Sequence, residues 1–148
     1  MKGFKFKLQS VLDTREKKFE DAQLEFAKVK NRLHNEQKTL NSINNDLEQT
    51  ENGLEFIIKS GNIDYTFVFC HYNYISKLKG DVIYQQEIIK QVEKQLEEKN
   101  RLMLEALKEK TMMEKLKEKA LEEFKKTMEK QDFINIDEIA VNRYKRTG

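Results

Sequence analysis

The sequence predicts an all-α protein built as a long two-helix antiparallel coiled-coil hairpin, with the second helix longer than the first. Three observations carry that prediction: a seven-residue apolar repeat from Leu12 to Leu54, a Ser60-Gly61-Asn62 interruption, and a second repeat from Ile75 to Met103. Composition agrees, since 36% of the 148 residues are charged, 38% are hydrophobic, and Pro and Trp are absent. Long helices have this mixture, and layered sheet-and-helix domains do not. The expected organisation is a single coiled-coil domain over 1–148, with a first helix over 1–59, a turn over 60–65 and a second helix over 66–146.

The first helix follows from alternating steps of four and three that begin at Leu8. They pass through Leu12, Arg15, Phe19, Ala22, Phe26 and Val29, and then through Leu33, Glu36, Leu40, Ile43, Leu47, Thr50 and Leu54. The sub-series Leu12, Phe19, Phe26, Leu33, Leu40, Leu47, Leu54 is large and apolar throughout. Such a stripe specifies a left-handed seam against another helix. Arg15, Glu36 and Thr50 interrupt the other sub-series; either they fix the register or they snorkel from a loosely packed seam.

The turn follows from Gly61, which takes the left-handed conformation that ends a helix, and from Asn62, which tolerates it. Asp64 is then placed as the N-cap of the second helix, with Ile63 and Val68 at the spacing of a hydrophobic staple.

The second helix has its own seven-residue series, Ile75, Val82, Ile89, Leu96 and Met103, interleaved with Leu78, Gln85, Val92, Lys99 and Ala106. Beyond Met103 the apolar residues slip to Leu107, Met113, Leu116, Ala120, Phe124 and Met128, which reads as a stutter. Asn135 and Glu138 have capping-box spacing, so the helix either kinks near 135 or carries Asn135 in mid-helix with its side chain in water.

Helices joined by a short turn run antiparallel, so both seams close within one chain and the protein is expected to be a monomer when alone. At ~1.5 Å per residue an arm of about fifty residues reaches about 75 Å. With the turn centred near Asn62, Leu8 lies opposite Leu116. Everything beyond about Lys117 therefore projects as a single helix.

Function classes narrow quickly. Twenty-eight basic residues against twenty-six acidic ones leave a net charge of +2 with the signs interspersed, which calls for no nucleic acid and no anionic membrane. The basic ends, Lys2, Lys5 and Lys7 and then Arg143-Tyr144-Lys145-Arg146, form either a small patch or two solvated termini. The most apolar stretch, Tyr65 to Ile75, falls far short of the ~20 residues that span a bilayer. No continuous apolar segment precedes the charged run from Arg15, so no secretory signal is expected, and a lone Cys70 suits a cytoplasmic chain.

No catalytic residues are predicted, because the carboxylates recur on helix faces beside Lys instead of converging in an enclosed pocket. No metal site is predicted either, since adjacent Cys70 and His71 diverge by about 100° on a helix. Without a glycine-rich phosphate loop, no cofactor is expected.

One segment breaks the pattern. Phe67, Val68, Phe69 and Cys70, flanked by Tyr65, Tyr72 and Tyr74, cover nearly every direction of a helix, while one neighbouring arm buries a single stripe. The aromatic surface left over marks a protein-binding site, unless Phe56-Ile57-Ile58 folds across it as a closed tip.

The opening Phe4-Lys5-Phe6-Lys7-Leu8-Gln9-Ser10-Val11-Leu12-Asp13-Thr14-Arg15-Glu16, the following Ala22 and Leu24, and the closing Asp137-Glu138-Ile139-Ala140-Val141-Asn142-Arg143 together resemble the bacterial flagellar export protein FliJ family over the whole chain. The resemblance implies a component of the flagellar type III export apparatus, peripheral at the cytoplasmic face of the inner membrane. It implies three partners: a hexameric export ATPase, an export-gate membrane protein and export chaperones. FliJ proteins look like the central stalk of rotary ATPases, which places Phe4, Phe6, Arg15, Ile139 and Arg143 near the ATPase ring. The family's gate-binding pattern, an aromatic followed by an apolar residue four positions on, fits Tyr74 and Leu78, beside Phe67, Phe69 and Tyr72. Asp81 and Gln85 depart from that pattern. A structural homodimeric coiled coil and a rotary-ATPase-type stalk subunit are the alternatives. Proximity of Phe19 to Glu105 within one chain is what separates the hairpin from the homodimer.

Overall fold

In the computed structural model, which describes residues 3–147, the chain forms two helices and no strand among the described residues. Helix α1 spans Gln9–Lys59 (51 residues) and helix α2 spans Tyr65–Thr147 (83 residues). They pack against each other in antiparallel fashion, α2 being the longer. Each helix passes through two compact units, one built from Ala22–Met103 and the other from the residues up to Asp21 together with those from Leu104 onward.

In the Ala22–Met103 unit the turn is built as its residues dictate. Gly61 takes φ +74°, the left-handed value open to glycine at low cost, just past the last turn of α1. The Ser60 hydroxyl donates to the Ile57 carbonyl at 2.7 Å and its N–H to Phe56 at 3.0 Å, so two carbonyls at the helix end are satisfied. Asp64 opens α2 as the N-cap, its Oδ1 accepting from the Thr66 N–H at 3.0 Å.

The seam of this unit follows the seven-residue register. Every seam position of α1 from Ala22 to Leu54 is buried or half-buried, as is every one of α2 from Ile75 to Met103. Leu54, Ile75, Leu78, Ile89 and Val92 form its core. Gln85 is buried among them, and its amide donates to the Glu36 carbonyl at 3.0 Å and to the Glu36 carboxylate at 2.5 Å.

In the terminal unit the core comprises Leu12 and Ala106. The expected stutter is absent here: Leu107 and Leu116 are exposed, while Lys110, Met113, Lys117, Ala120 and Phe124 are half-buried and keep the seven-residue phase. Two lysines thus hold seam positions that apolar counting assigns to leucines. Lys110 explains how: its ammonium sits 5.0 Å from the centroid of the Phe19 ring, so its stem covers apolar surface while its charge finds the ring's π face.

The α1 helix starts at Gln9, later than the sequence suggests, and Leu8 is exposed. From Phe4 to Lys7 the burial alternates, with Phe4 and Phe6 half-buried and Lys5 and Lys7 exposed. Residues two apart share a side in extended chain and lie about 200° apart on a helix. Non-helical backbone therefore turns both rings inward, and Phe4 meets Phe124 with ring centroids 5.5 Å apart. A turn bond from the Gln9 N–H to the Phe6 carbonyl, 3.1 Å, leads into the helix. At the other end α2 runs unbroken through Asn135 to Thr147.

Candidate partner-binding surfaces

The aromatic segment at the start of α2 is open. Phe67, Phe69, Tyr72 and Tyr74 are 60%, 66%, 56% and 43% exposed, and Phe56 at 73% does not fold across them. They divide into two rows on either side of the buried Ile75 and Leu78. Tyr65, Phe69 and Tyr72 lie on one flank, at i, i+4 and i+7, and line a shallow depression with Val68. Phe67 and Tyr74 lie on the other, sharing a depression with Thr50, Cys70 and His71.

His71 is fixed between these rows and α1. Its Nδ1 lies 2.8 Å from the Phe67 carbonyl, and its Nε2 comes within 3.7 Å of where a Cβ on Gly53 would stand. Cys70 is a free, exposed thiol. No group of three or more His, Cys, Asp or Glu among the described residues is placed to hold a metal ion.

Leu78 differs from the other residues assigned to this surface. It is 4% exposed, held in the seam, and so builds the helix pair instead of facing a partner. Its heptad position, three after Ile75, already carries that signal, since one side chain cannot fill the seam and also present itself outside.

The residues assigned to the other end fall into two groups. Arg15 is half-buried and forms an ion pair with Glu109, which also accepts from Lys18 at 3.2 Å. These two cations, Lys18 foremost and then Arg15, hold the Glu109 carboxyl below its ordinary value by donating hydrogen bonds to it. Phe4 and Phe6 lie along α2 as described. Ile139 and Arg143, in contrast, stand on a stretch where every residue from Glu129 to Thr147 is exposed. That stretch also carries exposed Phe133, Ile134, Ile136, Val141 and Tyr144, a set that periodicity in the seam does not reveal.

A long helix pair whose seam keeps a seven-residue register and whose apolar side chains stay open at its turn and along its last helical stretch belongs to the class of coiled-coil helical hairpins. The chain matches the family described as Flagellar FliJ protein over residues 4–148, and it belongs to that family. Membership makes it a component of the flagellar export apparatus. No curated protein and no solved structure matches the chain. None of its described helices is long and apolar enough to cross a membrane.

Proposed function

We propose that the chain binds and regulates the hexameric flagellar export ATPase through its terminal unit, and links that ring to the export gate and to export chaperones through the turn end. The observation that carries the first half is the open stretch Glu129–Thr147. Between Phe133 and Tyr144 its apolar side chains spread over roughly 220° of the helix circumference at 100° per residue. A helix facing solvent keeps its apolar residues to one stripe, and one that is apolar over so wide an arc belongs inside a partner. Ile139 and Arg143 then touch the ring directly, with Phe4, Phe6 and Arg15 at its mouth.

At the turn end Phe67, Phe69, Tyr72 and Tyr74 are the contact residues, with Leu78 supporting them from the seam. The protein acts at the cytoplasmic face of the inner membrane by association with these partners, and it works through different affinities for different states of the ring, with no reacting groups of its own. Mixing the chain with its cognate export ATPase and measuring ATP hydrolysis tests the proposal. Binding with a raised rate is expected; neither binding nor stimulation would remove the functional claim and leave the fold untouched.

A further inference from the structure

The last stretch of α2 carries its charges in two blocks. From Asp132 onward the acids Asp132, Asp137 and Glu138 come first and the bases Arg143, Lys145 and Arg146 follow, while Glu129 and Lys130 ahead of them cancel. None of the six has an opposite charge three or four residues away along the helix. That is the spacing at which Glu25–Lys28, Glu55–Lys59, Glu98–Arg101 and Lys110–Glu114 pair elsewhere in the chain. None of the six forms an ion pair among the described residues. The bases suit the negative pole at the end of α2, but the acids lie more than two turns inside the helix, beyond its reach.

An apolar stripe runs through both blocks. Phe133, Ile136, Ala140 and Tyr144 follow one another at steps of three and four, so they share one face, and all four are exposed. Asp132, Arg143 and Arg146 border that stripe on one side, Asp132 and Arg146 standing about 40° apart at 100° per residue. Asp137 borders it on the other side, and Glu138 and Lys145 lie farther round the helix.

An acidic half, a basic half and an apolar stripe through both match their own reversal. Two such helices running in opposite directions set each acidic half against a basic half, whereas parallel ones set like charges together. With Ala140 meeting its counterpart at a two-fold axis, Ile136 faces Tyr144 of the second copy and Asp132 comes beside its Arg146, and the symmetry makes each contact twice. We propose that residues 132–146 pair antiparallel with the same stretch of a second copy of the chain, while each hairpin seam stays closed within its own chain. The expectation of a monomer comes from that seam, which covers none of the apolar surface beyond Met128. The self-pair goes beyond the ring contact proposed above, since it needs no ATPase, and a ring that takes this stretch has to displace it.

Sedimentation velocity of the full chain alone, at low salt, is expected to show monomer giving way to dimer as concentration rises. Ending the chain at Met128 should abolish the dimer. Arg143→Glu with Arg146→Glu, and separately Asp132→Lys with Asp137→Lys, should each raise the dissociation constant about tenfold or more, because facing charges become alike. An equal mixture of the two double variants should restore dimerisation to at least the parent's strength, with one copy of each in the dimer. Lys125→Glu with Lys126→Glu, an equal change of charge ahead of the overlap, should leave the parent's dimerisation unchanged. Circular-dichroism melts at concentrations below the dimer range check that every variant keeps the helix pair. A chain that is monomeric at every concentration, a dimer that survives the truncation, or a mixture no tighter than either variant alone would overturn the proposal. So would a loss in Lys125→Glu with Lys126→Glu equal to that of the reversals. Stimulation of the ATPase reports the ring contact separately, so failure of one claim is told from failure of the other.

Discussion

The buried amide of Gln85 on α2 grips Glu36 on α1 twice, at its backbone carbonyl and at its carboxylate, and thereby joins two seam positions that would be apolar in a uniform coiled coil. A slip of one turn would leave both groups in apolar surroundings without each other, at a cost of about 1–3 kcal/mol. Of the two readings open for Glu36, register fixing is the one this geometry favours.

Replacing Gln85 with Ala should therefore lower unfolding free energy by about 1–3 kcal/mol, because it creates a void and strips a half-buried carboxylate of its donor. The double change Glu36→Leu, Gln85→Leu should recover that stability and loosen register, a known behaviour of polar seam pairs. Urea denaturation reads the first effect. Distances between spin labels on the two helices read the second, and a single sharp distance in the double variant would count against the register role.

Glu109 gives a pH dependence with a definite sign. Its folded-state pKa lies below the ordinary 4.5 because Lys18 and Arg15 donate to the carboxylate. The unfolded chain therefore takes up the proton first, so the contribution is fully present above the ordinary carboxylate range and is lost as pH falls through the depressed folded value. In urea titrations between neutral and strongly acidic pH, Glu109→Gln should be less stable than the parent at neutrality. The difference should fade in acid, and a gap that is constant with pH would refute the assignment.

Two glycines should respond in opposite directions. Gly61, at φ +74°, has no side-chain obstacle within 4 Å but an unfavourable backbone for any L-residue, so Gly61→Ala should destabilise by about 1 kcal/mol. Gly80 lies inside α2 with open space around its Cβ position, so Gly80→Ala should stabilise by about 0.5–1 kcal/mol. Thermal melts of the two variants on opposite sides of the parent would bear this out.

Ending the chain at Met128 should leave the unfolding midpoint nearly unchanged, because every residue from Glu129 to Thr147 is exposed. Stimulation of the export ATPase should be lost. Retained stimulation would refute the proposed ring contact of Glu129–Thr147.

The sequence reveals the seam of α1 well, since every anticipated position from Leu12 to Leu54 is buried or half-buried. A fixed period over a long helix is a redundant signal, and single polar members do not erase it. It reads less well where one side chain plays two chemical parts. Counting apolar residues selects Leu107 and Leu116 over Lys110 and Lys117, because it gives no weight to a lysine's stem. A helix over Phe4 and Phe6 is the sequence expectation, because a period of two that covers only two residues is too short a signal for extended chain. That more aromatic surface gathers at the turn end than one neighbour covers was legible, but whether Phe67, Phe69, Tyr72 and Tyr74 stand open was not, since a tip closed by Phe56, Ile57 and Ile58 fits the same pattern. Nor was the division of those rings between an uncharged flank and one lined by Glu51, Glu55, Lys59 and Lys79, because it depends on which α1 residues stand opposite, a matter settled by the turn at Gly61 and the Glu36–Gln85 pair.

The buried apolar side chains are unevenly shared: Leu54, Ile75, Leu78, Ile89 and Val92 lie in the unit that holds the turn, whereas Leu12 and Ala106 serve the other. Local opening costs least where fewest such groups must be rehydrated. Deuterium should therefore enter the amides of the terminal unit well before those around Val92, and the chain should unzip from its ends while the bend stays shut. On the proposed arrangement, with the ends seated in one neighbour and the bend presented to another, that gradient lets the first contact loosen without undoing the second.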